Sequence, residues 1–441
     1  GSSLPRDGPL TPPPRAVPAA ATAHGEGSPV ATLRRAPSTA PEAMRKRGRR
    51  LDPADAAAVA SAPGSGGGRG VRPGRTAKRW KKAARRRSPL EVQHFDWQRG
   101  QQLGPEGRYI VRKHLGDGTF GRVLACKDTT SKENVAIKVV KGVRRYCRHA
   151  QAEAEILREV SRCDPGRQSR CVLLLDTFLH PQLHFCMVFE HLDLSIRDFL
   201  KDNANQGLLI ADVRSIAEQL LQCLSFLTAV KLIHTDIKCR NVLFRDSRHD
   251  VVPLPRGRCD AQTRKLRSCE IVLIDFGGAV FEDDHGTNCV GTRQFRAPEV
   301  VLGLPWDEKV DVWSAGCLIA MTYLGDRLFG AKEDLEHLVL MEKFLCRQLP
   351  SDMLREGASR RSLPGGEAFD VQGRLKWPGR STGDDAVERV RQASSLRELL
   401  KPQHAPLLEL LGGMLDLDPK LRLSAARASR LPFLAGSYLP E

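Results

Sequence analysis

The stretch His234-Thr235-Asp236-Ile237-Lys238-Cys239-Arg240-Asn241 places a carboxylate, an ammonium and an amide at intervals of two and three residues. That set suits the transfer of a phosphoryl group to a hydroxyl. Asp236 can accept the hydroxyl proton, Lys238 can stabilise charge on the moving group, and Asn241 can ligate Mg²⁺. A second carboxylate, Asp275, ends the apolar run Ile271-Val272-Leu273-Ile274 and precedes Phe276-Gly277. A hydrophobic strand with an acid at its tip presents that acid where a metal-binding carboxylate is needed. Upstream, Leu115-Gly116-Asp117-Gly118-Thr119-Phe120-Gly121-Arg122-Val123 has the G-x-G-x-x-G spacing, which lets backbone N–H groups approach phosphate oxygens without a Cβ in the way. Val135-Ala136-Ile137-Lys138 follows, with Lys138 seventeen residues beyond Gly121. A strand lysine facing that loop can neutralise α/β-phosphate charge. An acid on the next helix would fix it in place. Glu153 is expected in that role and Glu155 is its competitor, since residues two apart cannot share one helix face.

The elements around these residues decide between readings of each motif. The strand-type runs Tyr109-Ile110-Val111, Gly121–Cys126 and Asn134–Val140 flank the glycine loop on both sides, whereas a dinucleotide site needs a helix directly after it. Ala150 to Val160 reads as a helix, and Val172–Leu175 and His184–Phe189 as two more strands. After Asp193 the texture is largely helical. Ile210 to Val230 carries Ile216, Leu220, Leu224 and Leu227 at helical spacing. The expected fold is α+β and bilobal, with a small β-rich N-lobe over 109–190 and a large, mostly helical C-lobe over 193–434. Ala297-Pro298-Glu299, Asp311-Val312-Trp313-Ser314 and Arg422 read as parts that stabilise the large lobe, with Glu299 and Arg422 forming a buried ion pair.

Charge separates this body from what precedes it. Of the 69 basic and 52 acidic residues, 19 and 5 fall in residues 1–90, a surplus of 14 out of the total +17. Residues 1–92 are rich in Pro, Ala, Gly and Arg and poor in large apolar side chains, so they are expected to be disordered. Their basic clusters, Arg45-Lys46-Arg47-Gly48-Arg49-Arg50 and the run from Lys78 to Arg87, suit nuclear import or contact with RNA or an acidic partner. Only Trp80 interleaves with them, so a stacking RNA platform is not supported. Ser88-Pro89 is a candidate phosphorylation site. The 12 cysteines include no CxxC pair, no apolar run reaches the ~20 residues a bilayer requires, and no signal-type apolar region opens the sequence. The nucleus, with the cytoplasm as a second compartment, and a monomeric state are expected.

The five motifs in this order are the protein-kinase signature set, and residues 109–434 resemble that family. Within it the chain resembles the LAMMER, or CDC-like (CLK), dual-specificity kinases of the CMGC group. Glu336-His337-Leu338-Val339-Leu340-Met341-Glu342-Lys343 is similar to their EHLAMMER motif, departing at Val339, Leu340 and Lys343. Thr235 stands where most kinases carry Arg, and 287–299 resemble the family's activation segment. Residues 245–269 match a family-type insertion. The resemblance implies ATP and Mg²⁺ as cofactors, with Asp275 and Asn241 on the metal and Lys138 on the phosphates. Leu115, Gly116, Gly118, Phe120, Gly121 and Val123 would cover the nucleotide. Ala136 and Leu243 would sandwich adenine, Glu190 to Leu192 would form the hinge, Phe189 would guard the back of the adenine pocket, and Asp198 would meet the ribose. It further implies protein substrates, serine/arginine-rich splicing factors among them. Thr235 cannot pair with a phosphate on the activation segment, so activity is expected not to require one. Phe295 replaces a tyrosine of relatives, which excludes tyrosine autophosphorylation there. Cys239 and Arg240 replace Pro and Glu, and Arg240 puts a preference for arginine-rich substrates in doubt. Competing readings are another CMGC kinase, a pseudokinase scaffold and an RNA-binding protein. Retention of Lys138, Asp236, Asn241 and Asp275 argues against the scaffold.

Overall fold

The computed structural model describes residues 95–435 apart from 119, 182–183, 258–259, 285–288, 361–367, 371 and 380–381. The basic N-terminal tail, Ser88 and Thr287 therefore lie outside the described residues.

Strands β1 (Gln102–Leu103), β2 (Tyr109–Asp117), β3 (Gly121–Asp128) and β4 (Asn134–Val140) precede helix α1 (Arg144–Cys163), and β5 (Leu174–His180) and β6 (His184–Glu190) follow it. They form one antiparallel sheet in the order β1-β2-β3-β4-β6-β5. Alternation along the strands gives the sheet two functions. Leu124, Cys126, Val135, Ile137 and Val139 face a buried core with Tyr109, Phe178 and Val188. Their neighbours Val123 and Lys138, which are cross-strand partners, and the paired Ala125 and Ala136 face the other way. A side chain at Gly121 would meet the Val139 carbonyl at 2.4 Å, so β3 approaches β4 there only through a glycine.

Two boundaries differ from the sequence reading. The folded body begins before Tyr109: β1 pairs with β2, Phe95 is buried against His180 and His184, and Trp97 stacks on His114. The strand expected at Val172–Leu175 starts later and runs to His180. Residues 170–172 are drawn away from the sheet, because Val172 N–H donates to the Leu273 carbonyl and Leu273 N–H to the Arg170 carbonyl.

The large lobe opens with α2 (Ile196–Asp202) and α3 (Ile210–Ala229). The short strands β7 (Leu232–Ile233) and β8 (Val242–Phe244) come next. The family-type insertion is then a two-stranded hairpin, β9 (His249–Pro253) with β10 (Gln262–Leu266). Beyond it lie β11 (Ile271–Leu273), paired with β8, and β12 (Val280–Phe281), paired with β7. The helices α4 (Pro298–Val301), α5 (Lys309–Leu324) and α6 (Asp334–Leu345) follow, with shorter helices to residue 435. Residues 310–323 of α5 are all buried, as a helix apolar on every side must be. Ile216, Leu220, Leu224 and Leu227 of α3 are buried beside it. Each such leucine contributes roughly 1.5–3 kcal/mol by burial. No described helix is long and apolar enough to cross a membrane.

Candidate active site

The β8–β11 hairpin sets the position of two of the predicted residues. Val242 pairs with Leu273, and Ile274 N–H donates to the Asn241 carbonyl at 2.8 Å. Asn241 before β8 and Asp275 after β11 therefore emerge at the same end. Asp275 has left-handed backbone (φ 68°, ψ 71°), which turns the chain sharply at the strand tip.

Helix α1 brings the acid for Lys138. Its buried residues Ala150, Glu153, Ala154 and Leu157 fall at i, i+3, i+4 and i+7, one apolar stripe with Glu153 inside it; Glu155 is exposed. Lys138 Nζ donates to both Glu153 carboxylate oxygens, at 2.8 and 2.9 Å, and to Asp275 Oδ1 at 3.3 Å. Burial opposes the charge on Lys138, but Glu153 and Asp275 more than offset it and hold its pKa above the ordinary lysine value. Burial likewise works against ionised Asp275, and Lys138, His234 and Lys238 outweigh it, so that carboxyl sits below the usual range.

Asp236 is held from three directions. Lys238 Nζ donates to its Oδ2, Thr292 Oγ1 donates to its Oδ1 at 2.8 Å, and Thr292 N–H donates to the same oxygen at 3.1 Å. Lys238 Nζ also donates to Thr292 Oγ1 at 3.1 Å, closing a three-membered cluster. Asn241 Nδ2 donates to the Asp236 carbonyl at 3.0 Å. Thr292 was not among the residues expected to act. Its only sequence signal is a hydroxyl in the segment leading to Ala297-Pro298-Glu299.

The backbone beneath is fixed by Asp311 at the start of α5, which accepts His234 N–H at 2.7 Å and Thr235 N–H at 2.9 Å; burial pushes its carboxyl up to about 6. Thr235 has φ 69°, rare for a β-branched residue, and its hydroxyl donates to the Gly278 carbonyl at 2.9 Å. Gly291 (φ 75°) passes so close that a Cβ would meet the Thr235 carbonyl at 2.9 Å. Arg296 donates to the Val290 and Gly291 carbonyls, and Arg293 pairs with Asp334 of α6. Glu299 and Arg422 form the expected buried pair, bidentate at 2.6 and 2.8 Å, with the guanidinium over the Trp313 ring. The 336–343 motif is structural: Glu336 caps α6 and bonds Arg389, and His337 is fully buried.

The cleft face of the sheet carries Val123, Ala136 and Lys138; Leu192 lies on the connection after β6 and Leu243 on β8. The connection after Glu190 is irregular, as a hinge is. Positions 116 and 118 have open space where a side chain would be, apart from the Gly121 carbonyl 3.7 Å from a Cβ at 118. Three residues expected at the nucleotide have side chains with partners in the fold. Phe120 packs on Tyr146 and His149 of α1. The Glu190 carboxylate accepts Leu173 N–H and binds Arg245. Asp198 accepts from the Ser195 hydroxyl at 2.6 Å in the cap of α2. Leu115 is solvent-exposed on β2.

The Asn241 and Asp275 oxygens test whether a divalent cation fits. Asn241 uses its amide N–H on Asp236, leaving its oxygen, and Asp275 stays ionised beside it; two hard oxygen donors suit Mg²⁺. Among the described residues no group of three or more His, Cys, Asp or Glu could hold a metal ion. A cation here would share its shell with phosphate oxygens, the usual habit of Mg²⁺.

The profile of the protein kinase domain matches residues 109–434. The serine/threonine-protein kinase AFC2 of Arabidopsis thaliana is 38% identical over 351 residues, 78% of this chain and 80% of that protein. The mouse dual specificity protein kinase CLK1 is 36% identical over 347 residues, 78% of this chain and 69% of its own length. A crystal structure of a kinase domain superposes with a TM-score of 0.72 at 33% identity, covering 77% of this chain and 98% of that one. The fold is that of a protein kinase. The chain belongs to the protein kinase family, in its LAMMER, or CDC-like, branch.

Proposed function

We propose that this chain transfers the γ-phosphoryl group of ATP to serine and threonine hydroxyls of proteins, with tyrosine as a further acceptor. The observation that carries the reading is the Asp236–Thr292–Lys238 cluster standing beside Lys138, Glu153 and Asp275 at one end of the β8–β11 hairpin. Asp236 would orient the acceptor hydroxyl and take its proton, Lys238 would stabilise charge on the transferring group, and Lys138, fixed by Glu153, would orient the α/β-phosphates. Asp275 and Asn241 would hold Mg²⁺, which supplies charge neutralisation at the phosphates. Val123, Ala136, Leu192 and Leu243 would enclose adenine. Positioning and electrostatics supply most of the rate. The test is transfer from ATP to protein and peptide substrates. Asp236→Asn should lower kcat at least about 100-fold while Mg·ATP still raises the thermal midpoint; near-normal turnover in that variant would sink the assignment of Asp236.

The branch resemblance supports serine/arginine-rich splicing factors as substrates, and the tail clusters at 45–50 and 78–87 support nuclear residence. Replacing both clusters by alanines should move the chain to the cytoplasm; an unchanged distribution would remove that role. Phosphate-free activity is supported by Thr235, Arg296 and Arg293, which hold the described activation segment through the Gly278, Val290 and Gly291 carbonyls and Asp334. Phosphatase-treated protein should keep its rate, and a loss restored only by rephosphorylation would overturn this.

A further inference from the structure

Lys238 to Asn241 form a β-turn, with Asn241 N–H donating to the Lys238 carbonyl at 2.9 Å. Cys239 and Arg240 are its corners, and they point opposite ways. Cys239 is buried, its sulfur 3.2 Å from Met321 Sδ. Arg240 is exposed, and its guanidinium makes no hydrogen bond or ion pair among the described residues. A second arginine borders the same turn. Arg197 of α2 donates its backbone N–H to the Cys239 carbonyl at 3.0 Å, while among the described residues its guanidinium meets only a neutral partner, Asn205 Oδ1, at 3.3 Å. Asp236, on the same loop as Arg240, is engaged by Lys238 and Thr292, and Asp198, next to Arg197, by the Ser195 hydroxyl. The turn after Lys238 is thus bordered by two guanidinium groups, neither of which pairs with a carboxylate among the described residues.

We propose that Arg240, assisted by Arg197, selects acceptor sequences with an anionic side chain two to four residues from the phosphorylated hydroxyl. This rests on the kinase reading above. The spacing follows from reach. Arg240 is two residues from Lys238, one end of a turn whose ends lie within about 7 Å. An extended peptide advances roughly 3.3–3.6 Å per residue, so two to four residues span about 7–14 Å, the distance an arginine at that corner sweeps. The guanidinium fork binds carboxylate and phosphate alike. The anion can be an Asp or Glu of the substrate or a phosphoserine already in place. In an arginine–serine repeat every second residue is a serine, so a phosphoserine at that spacing would let such a repeat satisfy the same requirement.

The experiment measures kcat/KM for matched serine peptides carrying Ala, Arg, Asp or phosphoserine at each position from four before to four after the acceptor. Wild type, Arg240→Ala and Arg240→Glu are compared, with thermal midpoints to confirm folding. Wild type should favour an anion over Arg about fivefold to tenfold at one or more of the positions two to four residues away, the effect of a partly screened charge pair gained against one opposed. Arg240→Ala should flatten the ratio and Arg240→Glu should invert it. Asp and phosphoserine rising together identify acidic sequences as the substrates; phosphoserine rising alone identifies primed ones, and either supports the proposal. A wild-type preference for Arg, or a ratio unmoved in both variants, overturns it while leaving the kinase reading intact. Absence of any transfer that Asp236→Asn abolishes would overturn both.

Discussion

Thr292→Val removes one oxygen and keeps the shape of the side chain. Two hydrogen bonds vanish with it, the donation to Asp236 Oδ1 at 2.8 Å and the acceptance from Lys238 at 3.1 Å. The Thr292 N–H bond to Asp236 and the Lys238–Asp236 contact remain. A hydrogen bond to a charged group is worth about 1.5–3 kcal/mol net. Asp236 and Lys238 are 27% and 21% exposed, so water replaces part of the loss and the total should fall near one such bond rather than two. At about 1.4 kcal/mol per tenfold, kcat/KM for a peptide should drop about 10- to 150-fold. The KM for ATP should hold, because Thr292 touches neither Lys138 nor Asp275. Steady-state kinetics on both substrates check this. Thr292→Ser, which restores the oxygen, should recover to within about threefold. The reasoning is refuted if the valine variant keeps more than half its activity, or if serine is as impaired as valine.

Three more outcomes follow from the geometry. Glu153→Gln leaves Lys138 with a neutral partner in a buried site, and should cut kcat by at least tenfold with little change in thermal midpoint; equal activity would show that Asp275 alone positions the lysine. His337 is buried with its pKa held down at about 3, by burial first and by Arg293 and Arg296 next. Between pH 6.5 and 3 the unfolded chain binds a proton that the folded chain refuses, so stability falls as pH falls, by about 2 kcal/mol from pH 7 to 5; urea unfolding of His337→Phe should lose less over that interval, and an equal loss would exclude His337 as the cause. Arg422→Met leaves Glu299 as an unpaired buried charge and should cost about 3–5 kcal/mol in chemical unfolding, whereas Glu299→Leu combined with Arg422→Met should cost less than the single change; a double variant as unstable as the sum would argue against a coupled pair.

The residues proposed for catalysis could be placed from the sequence because each lies in a short segment whose local structure aims it. Asp275 ends an apolar strand, Lys138 alternates with core residues on β4, and Glu153 falls on the apolar stripe of α1. Thr292 was not legible, because its partner is 56 residues away and only the return of the chain over the catalytic loop brings them together. The folded segment at 95–108 was missed for a related reason. Its two-residue strand and isolated aromatic residues have no period, and their burial depends on β2 and on His180 and His184. The resemblance implies Asp198 and Glu190 as nucleotide contacts; their side chains also have partners within the fold, the Ser195 hydroxyl for Asp198 and the Leu173 N–H with Arg245 for Glu190.

The charges of the cleft set the task that the proposed cation would perform. Lys138 and Lys238 face Glu153, Asp236 and Asp275, an excess of one negative charge before any phosphate arrives. Both lysines are already paired, Lys238 with Asp236 and Lys138 with Glu153 and Asp275. Neither offers a free positive charge, and three phosphates brought against an ionised Asp275 would be repelled in a site partly shielded from water, where such repulsion is less screened. A divalent cation on Asp275 and Asn241 would reverse the sign at that point and release Lys138 from Asp275 toward phosphate oxygens while Glu153 still holds it. Chelation of Mg²⁺ should therefore weaken ATP binding itself, by at least about tenfold in a titration followed by fluorescence or heat, and Asp275→Asn should lessen that dependence by removing the repelling charge. Equal ATP affinity with and without the cation would show that the paired lysines suffice and that this account of the cleft is wrong.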